Sequence, residues 1–315
     1  MAKTIYLVIP CYNEQEVLEE TTKRLDEKMT SLIKSKKISQ KSRVIYVDDG
    51  SKDRTWEIIE GIHQGNKLFG GVKLSRNRGH QNALLAGLMT VKNQADAVIS
   101  MDADLQDDIN AIDGFIEKFD EGCEIVYGVR SAREKDSFFK RTTAQGFYKF
   151  MGAMGAKVVY NHADYRLMSR RALDALEQFG EVNLFLRGMV TLLGFKTDIV
   201  TYERGERFAG ESKYPLKKML SFAWDGITSF SVKPIKIITS IGAIICIGSI
   251  IGLIYALVAY LLGKTVAGWT SMMMSIWLLG GIQLLSIGII GEYIGKIYSE
   301  TKARPRYIIE TFICD

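Results

Sequence analysis

The stretch AVISMDADLQD (residues 97–107) decides the fold of this chain. Its first four residues are typical of a short buried strand, and two carboxylates, Asp102 and Asp104, follow almost directly. At a strand end, side chains at positions i and i+2 point the same way. These carboxylates can therefore converge on one divalent cation, because such ions prefer oxygen ligands. A metal held there would neutralise a diphosphate leaving group, although an isolated Asp-x-Asp triplet is more often a solvated acidic turn.

Strand and helix patterns alternate along the N-terminal part of the chain. Apolar runs predict strands at Thr4–Ile9, which stops at Pro10, and at Arg43–Val47, Gly71–Leu74, Ala97–Ser100 and Glu124–Val129. Helical spacing of apolar residues predicts helices at Gln15–Lys34, Thr55–Ile62, Gln81–Val91 and Ile109–Phe119. This alternation indicates an α/β fold, a Rossmann-like and mostly parallel sheet with helices on both faces.

Three polar motifs come at the ends of predicted strands. They are Pro10-Cys11-Tyr12-Asn13-Glu14, Asp48-Asp49-Gly50-Ser51 and the acidic triplet. Because ligands of such sheets bind at the carboxyl ends of the strands, we expect the three motifs to form one site. No G-x-G-x-x-G motif follows the first strand, which disfavours a dinucleotide-dependent dehydrogenase.

Two long uncharged runs near the C-terminal end predict a membrane hairpin. They extend from Ile237 to Leu262 and from Thr265 to Gly291, with Lys264 alone between them. Each run exceeds the roughly 20 residues that a helix needs to cross a bilayer. Lysines and arginines lie outside both spans, and this bias places the N-terminal domain and the C-terminal tail in the cytoplasm, at the inner (plasma) membrane. We expect the four cysteines, which lack metal-type spacing, to stay reduced there.

The net charge of +5 is modest. Its concentration near the membrane boundary favours anionic lipid headgroups rather than nucleic acid as the partner. Gly248-x-x-x-Gly252 in the first span permits close helix contact, and it is a weak indication of a homo-oligomer.

Four motifs in order resemble those of family 2 glycosyltransferases of the polyprenyl-phosphate type, which include dolichyl-phosphate mannose synthase and the bactoprenol glucosyltransferases. The motifs occupy residues 10–14, 47–51, 102–106 and 207–213, and the ending at 291–296 and 304–307 is similar to the bactoprenol branch. The resemblance implies a GT-A catalytic domain followed by a two-helix transmembrane hairpin. The predicted parts are a cytoplasmic GT-A domain (1–212), an interfacial amphipathic region (213–234), a first transmembrane helix (235–263), a second one (266–292) and a cytoplasmic tail (293–315).

The resemblance also implies the donor site. The positions that resemble base- and ribose-binding residues are Pro10, Tyr12, Glu14, Val47 and Asp49. Asp48 would brace its turn, and contact with the ligand is the alternative for it. Metal and diphosphate would lie at Asp102, Asp104 and Gln106, with Mg2+ or Mn2+ as the cofactor and with Asp102 and Ala103 also facing the nucleotide. Arg207 and Lys213 resemble residues that close over the diphosphate, where charge-assisted contacts form once the substrate is bound.

The acceptor site is predicted from positive charge. Arg130 and Arg141 resemble acceptor-phosphate residues, and Lys140 is a further candidate; an interfacial basic face would explain the same residues. Asp164, in a run that resembles Asp-Phe-Arg-Leu with Tyr165 in place of Phe, is the candidate base. A phosphate monoester is largely dianionic at neutral pH, so Asp164 could instead orient the acceptor or the sugar.

The resemblance implies an inverting enzyme that moves one hexose, glucose in the first place, from a UDP-sugar to undecaprenyl phosphate. Catalysis would depend on Asp104 and Asp164. N-acetylglucosamine, mannose and aminoarabinose derivatives remain open as the transferred sugar. A processive polysaccharide synthase is disfavoured, because none of the four tryptophans follows an arginine as in the Gln-x-x-Arg-Trp motif. A non-catalytic sugar-nucleotide sensor or lipid-flipping partner is the alternative of a different class.

Overall fold

The computed structural model describes residues 2–131, 162–203, 205, 228, 233–262 and 268–314. These residues fall into two compact units. The first contains residues 2–131, 162–203, 205 and 303–314, and the second contains residues 228, 233–262 and 268–302.

The first unit is built on one eight-stranded sheet. In chain order its strands are β1 (Ile5–Cys11), β2 (Arg43–Asp48), β3 (Phe69–Leu74), β4 (Ala97–Ser100), β5 (Ile125–Arg130), β6 (His162–Ser169), β7 (Thr197–Tyr202) and β8 (Ile309–Ile313). The described helices of both units are α1 (Leu18–Lys34), α2 (Thr55–Gly65), α3 (His80–Val91), α4 (Ala111–Asp120), α5 (Arg170–Glu177), α6 (Leu186–Leu192), α7 (Lys233–Leu261) and α8 (Trp269–Lys302).

The order across the sheet is β7-β5-β6-β4-β1-β2-β3-β8. Neighbours from β4 to β3 run parallel, as do β5 and β7, whereas β6 is antiparallel to both β4 and β5. The predicted α/β, mostly parallel architecture is therefore confirmed. Every residue of β1 and β4 is buried, as expected where helices cover both faces of a sheet.

The predicted strands and helices occur with small shifts at their ends. The largest difference at the site is β1, which does not stop at Pro10. Pro10 stands in register with Val47, and the Cys11 carbonyl accepts a hydrogen bond from the Asp49 amide at 2.9 Å. Pro10 has no N–H to donate, but the Cys11 carbonyl continues the hydrogen bonding between β1 and β2. This hydrogen bond joins the first two motifs directly.

The C-terminal residues add a strand that the sequence analysis did not predict. After α8, residues 309–313 pair antiparallel with β3 at the edge of the sheet. Lys73 Nζ lies 2.9 Å from Glu310 Oε1 across this pair, and Arg306 donates a hydrogen bond to the Phe179 carbonyl. The end of the chain is thus part of the first unit.

In the second unit, α7 and α8 contact each other and expose large apolar side chains, such as Ile244 (69%) and Leu284 (73%). Within the described part of the chain, Leu278–Lys302 is the one segment that is long and apolar enough to cross a membrane. The predicted interfacial region (213–234) lies almost entirely outside the described residues, and the predicted boundaries of the parts remain predictions.

Candidate active site

The acidic triplet forms a tight turn directly after β4. Leu105 adopts a left-handed conformation (φ 56°), and the Gln106 amide donates a hydrogen bond to Asp104 Oδ1 at 3.2 Å. The buried hydroxyl of Thr21, on α1, donates to the Ala103 carbonyl at 3.0 Å. The turn is therefore fixed from both sides, and the carboxylate of Asp102 keeps 35% of its surface exposed.

Asp164, on β6, lies next to this turn and is joined to it by a histidine. His80 Nε2 lies 3.5 Å from Asp102 Oδ1 and 3.6 Å from Asp164 Oδ2. Because β6 runs alongside β4, Ser100 Oγ also donates a hydrogen bond to the Asp164 carbonyl at 2.5 Å. Two carboxylates from neighbouring strands thus face one imidazole.

Two arginines hold the Asp164 carboxylate. Arg187, near the start of α6, donates from Nε to Oδ1 at 3.2 Å and from Nη2 to Oδ2 at 3.0 Å. Arg166 donates from Nη2 to Oδ1 at 2.7 Å. Burial alone would raise the pKa of Asp164, but Arg187, His80 and Arg166 hold this pKa well below its usual range. Asp164 is therefore a carboxylate at neutral pH, with its oxygens engaged.

Arg166 is itself fully buried, and its Nε and Nη1 atoms have no hydrogen-bond partner in the described part of the chain. Burial lowers the pKa of its guanidinium, an effect that Asp164 opposes. Since a buried charge is costly unless it is paired, the pair with Asp164 offsets part of the cost of burying the Arg166 guanidinium.

The pKa of Asp102 is shifted in the opposite direction. Burial is the main cause that raises its pKa to about 6; His80 opposes the rise, and the carboxylates of Asp107, Asp164 and Asp104 add to it. The pKa of His80 is raised as well, because the two carboxylates outweigh the effect of its burial. Negative charge therefore accumulates around the triplet, which suits a site for a cation.

The second motif holds the chain that leads into α3. Asp49 accepts hydrogen bonds from the backbone amides of Arg78 at 2.7 Å and Gly79 at 2.9 Å. Gly50 has a φ of 64°, and a Cβ there would lie 2.5 Å from the Arg76 carbonyl carbon. The turn after β2 thus needs glycine both for its conformation and for the close approach of residues 76–77.

The first two motifs also hold each other. The Asn13 amide donates to Ser51 Oγ at 3.0 Å, and the Lys52 amide donates to Asn13 Oδ1 at 2.9 Å. Asp48 Oδ1 accepts from the Ser51 amide at 3.2 Å, which agrees with its predicted role as a brace for the turn.

Arg130 ends β5 on the other side of the triplet. Its Nε lies 3.3 Å from the Tyr202 hydroxyl, and its Nη2 lies 3.5 Å from Asp107 Oδ1. Tyr202 in turn donates to Asp107 Oδ1 at 2.5 Å. A buried acid and a tyrosine thus fix the position of an arginine that is predicted to bind phosphate.

The structure places the described candidates at one edge of the sheet. Pro10, Tyr12, Glu14, Val47 and Asp49 lie at or directly beyond the carboxyl ends of β1 and β2. The triplet lies beyond β4 and Arg130 at the end of β5. The proposed roles of these residues remain predictions, and Arg207, Lys213, Arg141 and Lys140 lie outside the described residues.

Sequence reasoning missed His80, Arg187, Asp107 and Tyr202. The signal for His80 was present, because it follows the end of a third parallel strand, β3, where the strand-end rule applies equally. Arg187 carries no such signal, since its contact with Asp164 depends on how α6 packs.

The residues predicted to hold the metal have suitable chemistry, because Asp102 and Asp104 offer carboxylate oxygens and Gln106 an amide oxygen. Among the described residues, no group of three or more His, Cys, Asp or Glu side chains is arranged as a metal site.

The acidic turn and the flanking Arg130 and Arg187 lie at the carboxyl ends of the parallel strands, where sheets of this kind bind ligands. Comparison with known proteins specifies the class. Residues 6–177 match the family model "Glycosyl transferase family 2". The chain belongs to glycosyl transferase family 2, and it is a glycosyltransferase, which confirms the family resemblance seen in its motifs.

The similarity to relatives extends over nearly the whole chain. The uncharacterised glycosyltransferase YkoT of Bacillus subtilis (strain 168) is 57% identical over 304 residues, which cover 96% of this chain and 90% of that protein. The bactoprenol glucosyl transferase of Shigella phage SfX is 39% identical over 312 residues, covering 98% and 99%. Among solved structures, glucosyl-3-phosphoglycerate synthase from Mycobacterium tuberculosis in complex with Mn2+, UDP and glucosyl-3-phosphoglycerate is 17% identical, with a TM-score of 0.44 and coverage of 72% and 78%.

Proposed function

We propose that this chain transfers a single glucose from UDP-glucose to undecaprenyl phosphate at the cytoplasmic face of the inner membrane, with inversion at the anomeric carbon. The observation that carries this proposal is the similarity to a bactoprenol glucosyl transferase over 98% of the chain. The geometry supports it, because the acidic triplet, which can bind a cation, and Arg130, which can bind a phosphate, lie at the same end of neighbouring parts of the sheet.

The donor would lie over the ends of β1 and β2. A carboxylate such as Glu14 or Asp49 accepts hydrogen bonds from a uracil N–H or a ribose hydroxyl. Asp49 retains lone pairs for this, although each oxygen already accepts one backbone amide. Asp102, Asp104 and Gln106 would hold Mg2+ or Mn2+ with the diphosphate. When bound, such an ion neutralises the charge that develops on the UDP leaving group.

The acceptor phosphate would lie near Arg130 and would attack from the face opposite the diphosphate. Tyr202 and Asp107 already hold the Arg130 side chain in place, so this side chain loses little freedom when the phosphate binds. The predicted contributions of Arg141 and Lys140 to the acceptor site, and of Arg207 and Lys213 to the donor site, are part of the same proposal.

For Asp164 we favour the orienting role over that of a base. Its oxygens accept hydrogen bonds from Arg166 and Arg187, and its lowered pKa makes it a poor proton acceptor. The incoming phosphate is largely dianionic at neutral pH and attacks without losing a proton.

Membrane attachment through α7 and α8 completes the proposal. Both helices expose apolar side chains that water would not favour, and a polyprenyl acceptor is itself confined to the bilayer. We propose that the two helices form a two-span anchor with the catalytic unit in the cytoplasm, where nucleotide sugars are made. The proposed partners are the donor, the lipid acceptor and membrane lipid, with a homo-oligomer as a further possibility.

A radiolabel transfer assay on membranes that contain the full chain tests the proposal. With UDP-glucose, UDP-N-acetylglucosamine and GDP-mannose as labelled donors, we expect label in the lipid fraction from UDP-glucose. EDTA and Asp104→Ala should each abolish the transfer. A different preferred donor would support the same reaction with another sugar. Binding of nucleotide sugar without transfer from any donor would support the non-catalytic alternative.

A further inference from the structure

His80 is the first residue of α3, and its place in the site is fixed by the backbone before it. Gly79 has a φ of 85°, a left-handed conformation that other residues rarely adopt. The amides of Arg78 and Gly79 both donate to Asp49, as described above. One residue further along α3, Gln81 Oε1 accepts a hydrogen bond from the Leu186 amide at 2.8 Å, which connects the start of α3 to the start of α6.

The imidazole fixed in this way lies between two carboxylates of different function. Its Nε2 is nearly equidistant from Asp102, on the side of the donor diphosphate, and from Asp164, on β6. Because both neighbours are hydrogen-bond acceptors, Nε2 must carry the proton for the contacts to be attractive. The imidazole thus places positive or donor character between the two carboxylates, beside the Arg187 that already pairs with Asp164.

We propose that His80 is a positioning residue, whose imidazole lies between Asp102 and Asp164 and sets the spacing between the donor side and the acceptor side of the site. Asp49 takes part indirectly, because it holds the two residues that precede His80. The inference rests on the proposed glycosyl transfer and adds to it a residue to which neither the motifs nor the comparisons assign a role.

The test uses three variants of the full chain in detergent or nanodiscs. His80→Ala removes the imidazole, and His80→Gln keeps an N–H donor at a similar reach. We expect His80→Ala to lower kcat about 10- to 100-fold, the usual effect of removing a residue that orients ligands of a metal site. The KM for the UDP-sugar should stay within about threefold, since the nucleoside contacts are unchanged. His80→Gln should recover most of the lost turnover.

The matched control is His63→Gln. The His63 ring nitrogen Nδ1 lies 2.7 Å from the Phe69 carbonyl. Phe69 is at the amino end of β3, whereas the candidate site lies at the carboxyl ends of the parallel strands. This variant should keep wild-type kcat. Thermal unfolding and Mn2+-dependent UDP binding, measured by calorimetry, separate a positioning effect from loss of folding in all three variants.

A double-mutant cycle with Asp164→Asn completes the test. If His80 acts through Asp164, the combined loss should differ from the product of the single losses by at least about threefold. Turnover of His80→Ala near that of the wild type, His80→Gln as impaired as His80→Ala, or losses that simply multiply would each overturn the inference. An inactive wild type would instead contradict the proposed glycosyl transfer, so the two failures are distinguishable.

Discussion

The carboxylate of Asp164 shows how its surroundings decide between the two roles that the sequence left open. A run of Asp, Tyr, Arg and Leu identifies the position but not the charge around it. Part of that charge comes from Arg166 within the run, and the rest comes from Arg187 and His80, which approach Asp164 only in the folded chain. The motif residues and His80 follow strands and therefore carry a sequence signal, whereas Arg187 carries none, because its contact with Asp164 depends on how α6 packs.

Replacing Asp164 tests this assignment. Because its pKa is lowered, Asp164 stays ionised through the neutral and alkaline range, and Asp164→Asn removes the same negative charge at every pH in it. We expect a loss of kcat that is constant between about pH 6 and 9. A loss that becomes smaller as the pH rises would instead indicate a base. The same lowered pKa means that the contribution of Asp164 to stability is present above the pKa of the unfolded chain and is lost as the pH falls through the folded pKa.

Gly50 gives a second prediction at this scale. Gly50→Ala forces a Cβ to within 2.5 Å of backbone at Arg76, so the loop held by Asp49 must move and UDP binding should weaken at least about tenfold. Gly122→Ala is the matched control, because Gly122 also has a positive φ (84°) but nothing within 4 Å of its Cβ position. It should cost about 1 kcal/mol of stability and leave UDP affinity unchanged. Equal UDP affinity in the two variants would contradict the steric explanation.

At the scale of elements, the alternation of strands and helices was sufficient to predict the parallel half of the sheet. The strand β8 was not predictable, because its partner β3 lies more than 200 residues away in sequence and the long helices α7 and α8 come between them. Local pattern identifies a strand, but pairing at a sheet edge depends on where the chain returns. In this protein the return covers β3, which would otherwise be an exposed edge strand.

Gly70→Ala tests the docking of β8. A Cβ at Gly70 would lie 2.6 Å from the Ile313 carbonyl oxygen and 2.8 Å from Ile45 Cδ1. We expect a loss of about 1–3 kcal/mol and faster proteolysis of the C-terminal residues. The control is Gly61→Ala in α2, where nothing lies within 4 Å, and which should stabilise the protein by about 0.5–1 kcal/mol through helix propensity. Unchanged proteolysis in Gly70→Ala would show that β8 tolerates the added methyl group.

At the scale of the whole molecule, two uncharged runs and their basic flanks predict how the chain lies in a membrane. The described helices α7 and α8 occupy these runs. Hydropathy predicts which segments cross the bilayer, and the charge bias predicts that the catalytic unit lies on the cytoplasmic side.

Cysteine labelling in intact cells tests this topology. In a background without Cys246 and Cys314, a cysteine at Gly268 should react with an impermeant maleimide, whereas one at the exposed Lys52 should react only after the membrane is permeabilised. Lys52 is suitable because it lies beside the Asp48–Ser51 turn and thus reports on the side that holds the donor site. Labelling of Lys52→Cys in intact cells would contradict the cytoplasmic assignment.

The central claim is tested most directly by the product that the purified full chain makes from UDP-[14C]glucose and undecaprenyl phosphate in nanodiscs with Mn2+ or Mg2+. We predict one labelled glucose per lipid phosphate, joined in the β configuration because inversion of an α-linked donor gives a β product. The identity and anomeric configuration of the product can be read by mass spectrometry and NMR. More than one sugar per lipid, an α linkage, or release of free glucose without any lipid product would contradict the account.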